Sequence, residues 1–216
     1  MRKLEENLSN IDENKRIEIP LELSVPAIEK MSYTSNSQIN EMYVNLLTKG
    51  ASSETIYLAH PGFILTISSL SFDEALLLKH LYEQERKTIP LVQFKVHSII
   101  SNETDILTSQ RGYSYLPHIC GFHFPENDNL YIYNLTGLGI LEKVEDSIDT
   151  EYEHEYRKLE QELMEEKEAF LKEMIKTHSL GQFYTAHYVR SFYRVTDYGV
   201  QFLKACNDSV EKQLTR

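Results

Sequence analysis

The chain has 216 residues, 41% of them hydrophobic and 25% charged, with a formal net charge of −11, 8 glycines and 6 prolines. A chain of this length buries roughly 70% of its unfolded surface, so a true core is expected, and so few Gly and Pro favour long helices. The negative charge repels phosphate and anionic headgroups unless cations cluster, and here Lys and Arg gather only into pairs such as Arg86-Lys87 and Arg157-Lys158, too small for a nucleic-acid footprint.

Residues 1–19 are polar and without a sustained stripe, which predicts a tail or a loosely docked arm. In "IPLELSVPAIEKMS", Leu21, Val25 and Ile28 fall at helical spacing around Pro26, an interior proline expected to bend or interrupt the helix. Ile39, Met42, Tyr43, Leu46 and Leu47 then recur at i, i+3, i+4, i+7 and i+8 between a Ser/Asn cap and Gly50. "HPGFILTISSL" starts a helix at Pro61. "SFDEALLLKHLYEQ" opens another at once, because Ser71 and Glu74 have capping-box spacing.

At "PLVQFKVHS" the period changes to two, with Val92, Phe94 and Val96 alternating with polar residues as in a half-buried strand. Residues 101–126 are irregular, with one short helix expected around Ile106 and Leu107. "NDNLYIYNLTGLG" reads as a helix stopped at Gly139, and "ILEKVED" as a strand. Residues 150–178 lack Gly and Pro and are crowded with Glu and Lys. Tyr152, Tyr156, Leu159, Leu163 and Phe170 form a seam near 3.5-residue spacing, interrupted by Glu166, on one helix of about 40 Å. "YVRSFYRV" is then a strand, and "TDYGVQFLKACND" a helix capped by Thr196.

From residue 72 this order needs only an enlarged wing tip and an added C-terminal helix to match a winged helix. The expected fold is mainly α, of the α+β class: an N-terminal helical subdomain over 20–70 packed on a winged-helix-like domain over 71–208, with a helical insertion at 150–178 and a tail at 209–216. Three stretches together resemble the abortive-infection alpha family, a bacterial domain of poorly defined activity associated with phage defence. They are "IPLELSVPAIEKMS" with "INEMYVNLLTKGA", then "AHPGFILTISSLSFDEALLLKHL", then "NLTGLGILEKV" with "YRVTDYGVQFLKAC". Departures are Gly137, where a polar helix former is expected, Ile140-Leu141 in place of Leu-Ile, and the length of the 150–178 helix.

The chemistry legible in the sequence is sparse. Base readout and phosphate anchoring draw on Arg, Lys, Asn and Gln, and residues 127–138 offer Asn127, Asn129 and Asn134 without a cation, followed by Glu142, Glu145 and Asp146 on the wing. His118, Cys120 and His123 are close in sequence, yet their spacing falls short of the usual zinc pair and no second pair follows. His60-Pro61-Gly62 and Asp73-Glu74 have no partner nucleophile or acid at defined spacing, so they read as a helix start and helix caps. Two cysteines make no disulfide framework, and no apolar run nears the roughly 18 residues of a membrane span, which predicts a cytoplasmic chain with free thiols. The expectation is a non-enzymatic bacterial protein without metal or cofactor, working in antiviral defence through protein contacts. Its seam of Tyr152, Tyr156, Leu159, Leu163 and Phe170 packs on its own domain or pairs as a coiled coil with a second copy, and pairing predicts a dimer. A DNA-binding winged-helix regulator is the alternative, and a metal-dependent enzyme comes third.

Overall fold

The computed structural model describes residues 2–99, 107–144, 149–178 and 183–207. The expected tail at 209–216, Ile106, and the wing residues Glu145 and Asp146 lie outside the described residues. Helices α1 (Arg2–Ser9), α2 (Leu21–Tyr33), α3 (Ser37–Gly50), α4 (Gly62–Ser68) and α5 (Phe72–Glu83) precede β1 (Thr88–Ser98). Then come β2 (Leu107–Thr108), α6 (Leu116–Cys120), α7 (Asp128–Gly137), β3 (Leu141–Val144), α8 (Glu153–Glu162), α9 (Met164–Thr177), β4 (Tyr184–Val195) and α10 (Asp197–Cys206). The class is α+β: mainly helical, with one antiparallel sheet in the order β2-β1-β4-β3.

The helix α3 is the hub of the helical layer. The Asn36 side chain caps it by accepting from the Gln38 and Ile39 amides, and the five apolar positions that gave its period are all buried. Around it pack α1, α2, α4, α5 and α10, in one apolar cluster that reaches from Leu4 to Cys206. Residues 20–70 and the segment after them therefore share a core instead of forming separate cores.

Three expectations need correction here. The N-terminal arm is a docked helix: Leu4 is buried against α3, Lys3 pairs with Glu41 at 2.5 Å, and the Ile17 amide donates to Ala51 O. In α2, Leu21, Val25 and Ile28 face outward, while Leu23 and Ala27 enter the core. Ala27 is fully buried, and α2 runs unbroken through Pro26 although that residue lacks the amide hydrogen that would bond the Glu22 carbonyl. Leu107 belongs to a two-residue strand, and the short helix of this region is α6 instead.

The sheet is covered on both faces where β1 and β4 pair, from Thr88 against Arg194 to Ser98 against Tyr184. Ile89 and Leu91 join the main core, whereas Val92 and Phe94, pointing the other way, join a second cluster with Tyr156, Leu159 and Leu163. The alternation legible in β1 thus marks the face beneath the charged helices. These helices lie between β3 and β4 in the chain, and they are two, not one. The chain breaks at Leu163 (φ −94°, ψ 16°), with α8 packed on β1 and α9 on β4 and β1.

Candidate functional site

The first turn of α5 organises the surface around α7. Ser71 Oγ accepts from the Glu74 amide, and the Ser71 amide donates to Glu74 Oε2 at 2.6 Å, completing the expected capping box. The other Glu74 oxygen accepts from Asn134 Nδ2 at 2.7 Å, tying α5 to α7. Asp73, only 2% exposed, accepts from the His123 amide at 2.9 Å, the Phe124 amide at 3.0 Å and the Tyr131 hydroxyl at 2.8 Å. Burial opposes its charge, but these hydrogen bonds outweigh that and hold the carboxyl below its usual range. In turn, burial and the bond to Asp73 push the Tyr131 phenol up to about 12.

The polar residues of α7 are engaged inside the chain. Asn129 clasps Gly112 through the Gly112 amide and carbonyl, both at 2.8 Å, and Asn134 also donates to Ser69 O. Arg111, a cation that does reach α7, pairs with buried Asp128 at 3.3 Å. What α7 turns outward is Leu130 (60% exposed), Tyr133 (53%), whose hydroxyl donates to Gln110 O, Thr136 and, on the face of Leu130 and Tyr133, Gly137, an uncharged strip.

The five seam residues do come together, on the chain's own sheet. Tyr156 is fully buried and donates to Ser191 O at 2.8 Å, Leu159 and Leu163 are buried beside it, and Tyr152 and Phe170 are half-buried at the margin. Phe170 and Phe94 sit 5.7 Å apart in an aromatic group with Tyr113 and Tyr188. Arg190 on β4 lies over the Tyr156 ring and bonds both oxygens of Glu160, at 2.6 and 2.9 Å, and one of Glu153 at 2.7 Å. The helix–sheet packing buries the seam without a second copy, so a dimer would need another surface. Static light scattering at micromolar concentration is expected to give the monomer mass; a dimer mass would show that such a surface exists.

The histidine–cysteine cluster is dispersed. The His123 ring meets Phe72 edge-on and approaches Asp73 at 3.3 Å, while His118 and Cys120 lie on α6. Burial pushes the Cys120 thiol up to about 12, so it stays protonated at neutral pH. Among the described residues no three His, Cys, Asp or Glu side chains converge on a possible metal position. His60 Nδ1 accepts from the Gly62 amide at 3.0 Å, the bond of a helix start. Cys206 is buried and Cys120 half-buried, both as free thiols.

The Asp73 hub and the inward-turned asparagines escape sequence reasoning, which places helices but cannot tell which side of α7 meets α5. Among the described residues no helix is long and apolar enough to cross a membrane. No curated protein matches the sequence. A solved structure of an uncharacterized protein from the hydrocarbon-degrading marine bacterium Alcanivorax borkumensis SK2 is similar at 20% identity and a TM-score of 0.41, over 68% of this chain and 92% of that one. The sequence profile of the abortive infection alpha family matches residues 1–206, and the chain belongs to that family.

Proposed function

We propose that the protein is a non-enzymatic, cytoplasmic member of a phage-defence response that acts through protein contacts at the outer face of α7. The observation that carries this is the uncharged strip of Leu130, Tyr133 and Gly137 beside asparagines whose side chains are already bonded within the chain. In this reading α5, β1, α6, α7, β3 and β4 form a winged-helix-like frame, supported by the adjacency of β1, β4 and β3, with α7 at the position of the reading helix. A helix that reads bases needs free donors and flanking cations. Against DNA reading stand the pairing of Arg111 with Asp128, Arg190 with Glu153 and Glu160, and Arg194 with Glu142.

In a host where the chain lowers phage plating, Leu130→Glu is expected to return plating most of the way to the vector level, with helix content and melting temperature unchanged because the side chain is exposed. Full protection by that variant would refute the assignment of this face. Tight, salt-sensitive retention of duplex DNA in a low-salt gel shift would favour the regulator instead.

A further inference from the structure

The outer stripe of α2 is left open by the described residues. Leu21 is 69% exposed, Val25 58% and Ile28 43%, and their i, i+4, i+7 spacing aligns them over two turns of helix, about 10 Å. Leu65 on α4, a helix that packs against α2, is exposed as well. Single exposed leucines are ordinary, but three large aliphatic side chains in helical register on one outer face have the pattern of a packing surface.

Charge on the same face says what fits it. Glu22 and Glu29 each follow a stripe residue, so their carboxylates stand two turns apart along one edge of the stripe, both exposed. Among the described residues neither is held in an ion pair. Lys30, the one cation of α2, is half-buried and is held chiefly by Tyr33, over whose ring it lies at 5.6 Å, and more weakly by Glu29. An aliphatic stripe edged by open carboxylates, with no exposed cation, is the complement of a helix that carries Leu or Ile on one face and Lys or Arg beside it. A second copy of this chain would bring two more carboxylates and no exposed cation to the contact, and an anionic lipid surface would be repelled.

We propose that the outer face of α2 docks a cationic amphipathic helix of another protein, independently of the contacts made by α7. The probe is a stapled helical peptide of about two heptads, with Leu at a and d and Lys at e and g, titrated into the full chain at about 0.15 M salt and followed by NMR of the side-chain methyls. It is expected to bind with a Kd on the order of 100 μM and to shift the Leu21, Val25 and Ile28 methyl signals. The same peptide with Glu in place of Lys should bind about tenfold more weakly, and with Ser in place of Leu it should not bind. The double substitution Glu22→Gln with Glu29→Gln, at exposed positions that leave the fold intact, should weaken the lysine peptide about fivefold. Val25→Asp should abolish binding even though it adds a negative charge, which separates docking on the stripe from general attraction to an acidic chain. Equal binding of the Lys and Glu peptides, equal binding of the Leu and Ser peptides, unchanged affinity in Val25→Asp, or no methyl shift at about 1 mM peptide would each overturn the assignment. A dimer mass in light scattering that Val25→Asp reduces to the monomer would give the face to a second copy instead, and flotation with phosphatidylcholine vesicles that the same variant loses would give it to a lipid surface.

Discussion

Replacing Asp73 by Ala is expected to lower the unfolding free energy by about 3 kcal/mol or more, because it strips several donors of one buried acceptor. The amides of His123 and Phe124 and the hydroxyl of Tyr131 all converge on this carboxylate, which is how the loop after α6 and the helix α7 are fastened to the start of α5. Asp73→Asn preserves the shape but turns an N–H pair toward groups that are themselves donors, so it should cost nearly as much. The two substitutions are separated from mere loss of packing by their pH dependence. The folded carboxyl titrates below its ordinary value of 3.8, so its charge stabilises the fold fully above that value and progressively less as pH falls through the lower folded pKa. In urea unfolding from pH 7 down to acid, the gap between the parent and Asp73→Asn should be widest at neutral pH and narrow only below about 3.8. A gap that stays constant across that range would mean that folding does not shift the Asp73 carboxyl from its ordinary value, and a gap that widens as pH falls would mean that Asp73 is neutral in the folded protein.

Asp73 also shows how far the sequence is legible. Its neighbour Glu74 announces itself through capping-box spacing, a local pattern made by residues three apart, and the structure forms that box. The partners of Asp73 lie about 50 or more residues away, and no local period points to them. The same division runs through the fold. The period of α3 identified five of its buried residues, Ile39, Met42, Tyr43, Leu46 and Leu47, while Val44 and Asn45, off that stripe, are buried as well because neighbours wrap the helix. In α2, apolar residues occur on both sides, and periodicity gave the outer stripe of Leu21, Val25 and Ile28 instead of the inner pair Leu23 and Ala27. A moment identifies a face but not its neighbour.

The seam on α8 and α9 teaches the same thing at larger scale. Its spacing resembles that of a coiled coil, yet the partner is a sheet, and the chain breaks at Leu163 into two helices that both pack on that sheet. For the candidate interaction face, the lack of cations along 127–138 was legible, whereas the inward turn of Asn129 and Asn134 was not, because it depends on Gly112, Ser69 and Glu74 standing opposite.

Gly199→Ala should prevent normal folding or cost about 3 kcal/mol, near the upper end of overpacking penalties, whereas Gly137→Ala should stabilise by about 0.5–1 kcal/mol. Both glycines fall in stretches that resemble the family, and only their surroundings separate them. Gly199 lies in the first turn of α10, where its amide donates to the capping hydroxyl of Thr196 at 2.9 Å. A Cβ there would collide with the Ile140 carbonyl oxygen and come within 2.7 Å of Val195 Cγ1. The carbonyl cannot retreat, because it accepts from the Thr196 amide at 2.9 Å, the bond that joins the end of β4 to the turn after α7. The collision therefore separates α10 from the sheet and pulls Phe202 and Cys206, both fully buried, out of the core. Gly137 is helical, at the end of α7, with nothing within 4 Å of an added Cβ, so alanine there only removes freedom from the unfolded chain. Denaturant midpoints of the two variants should move in opposite directions. A Gly199→Ala protein as stable as the parent would mean that α10 does not sit against the turn at Ile140, and the shared core from Leu4 to Cys206 would have to be redrawn.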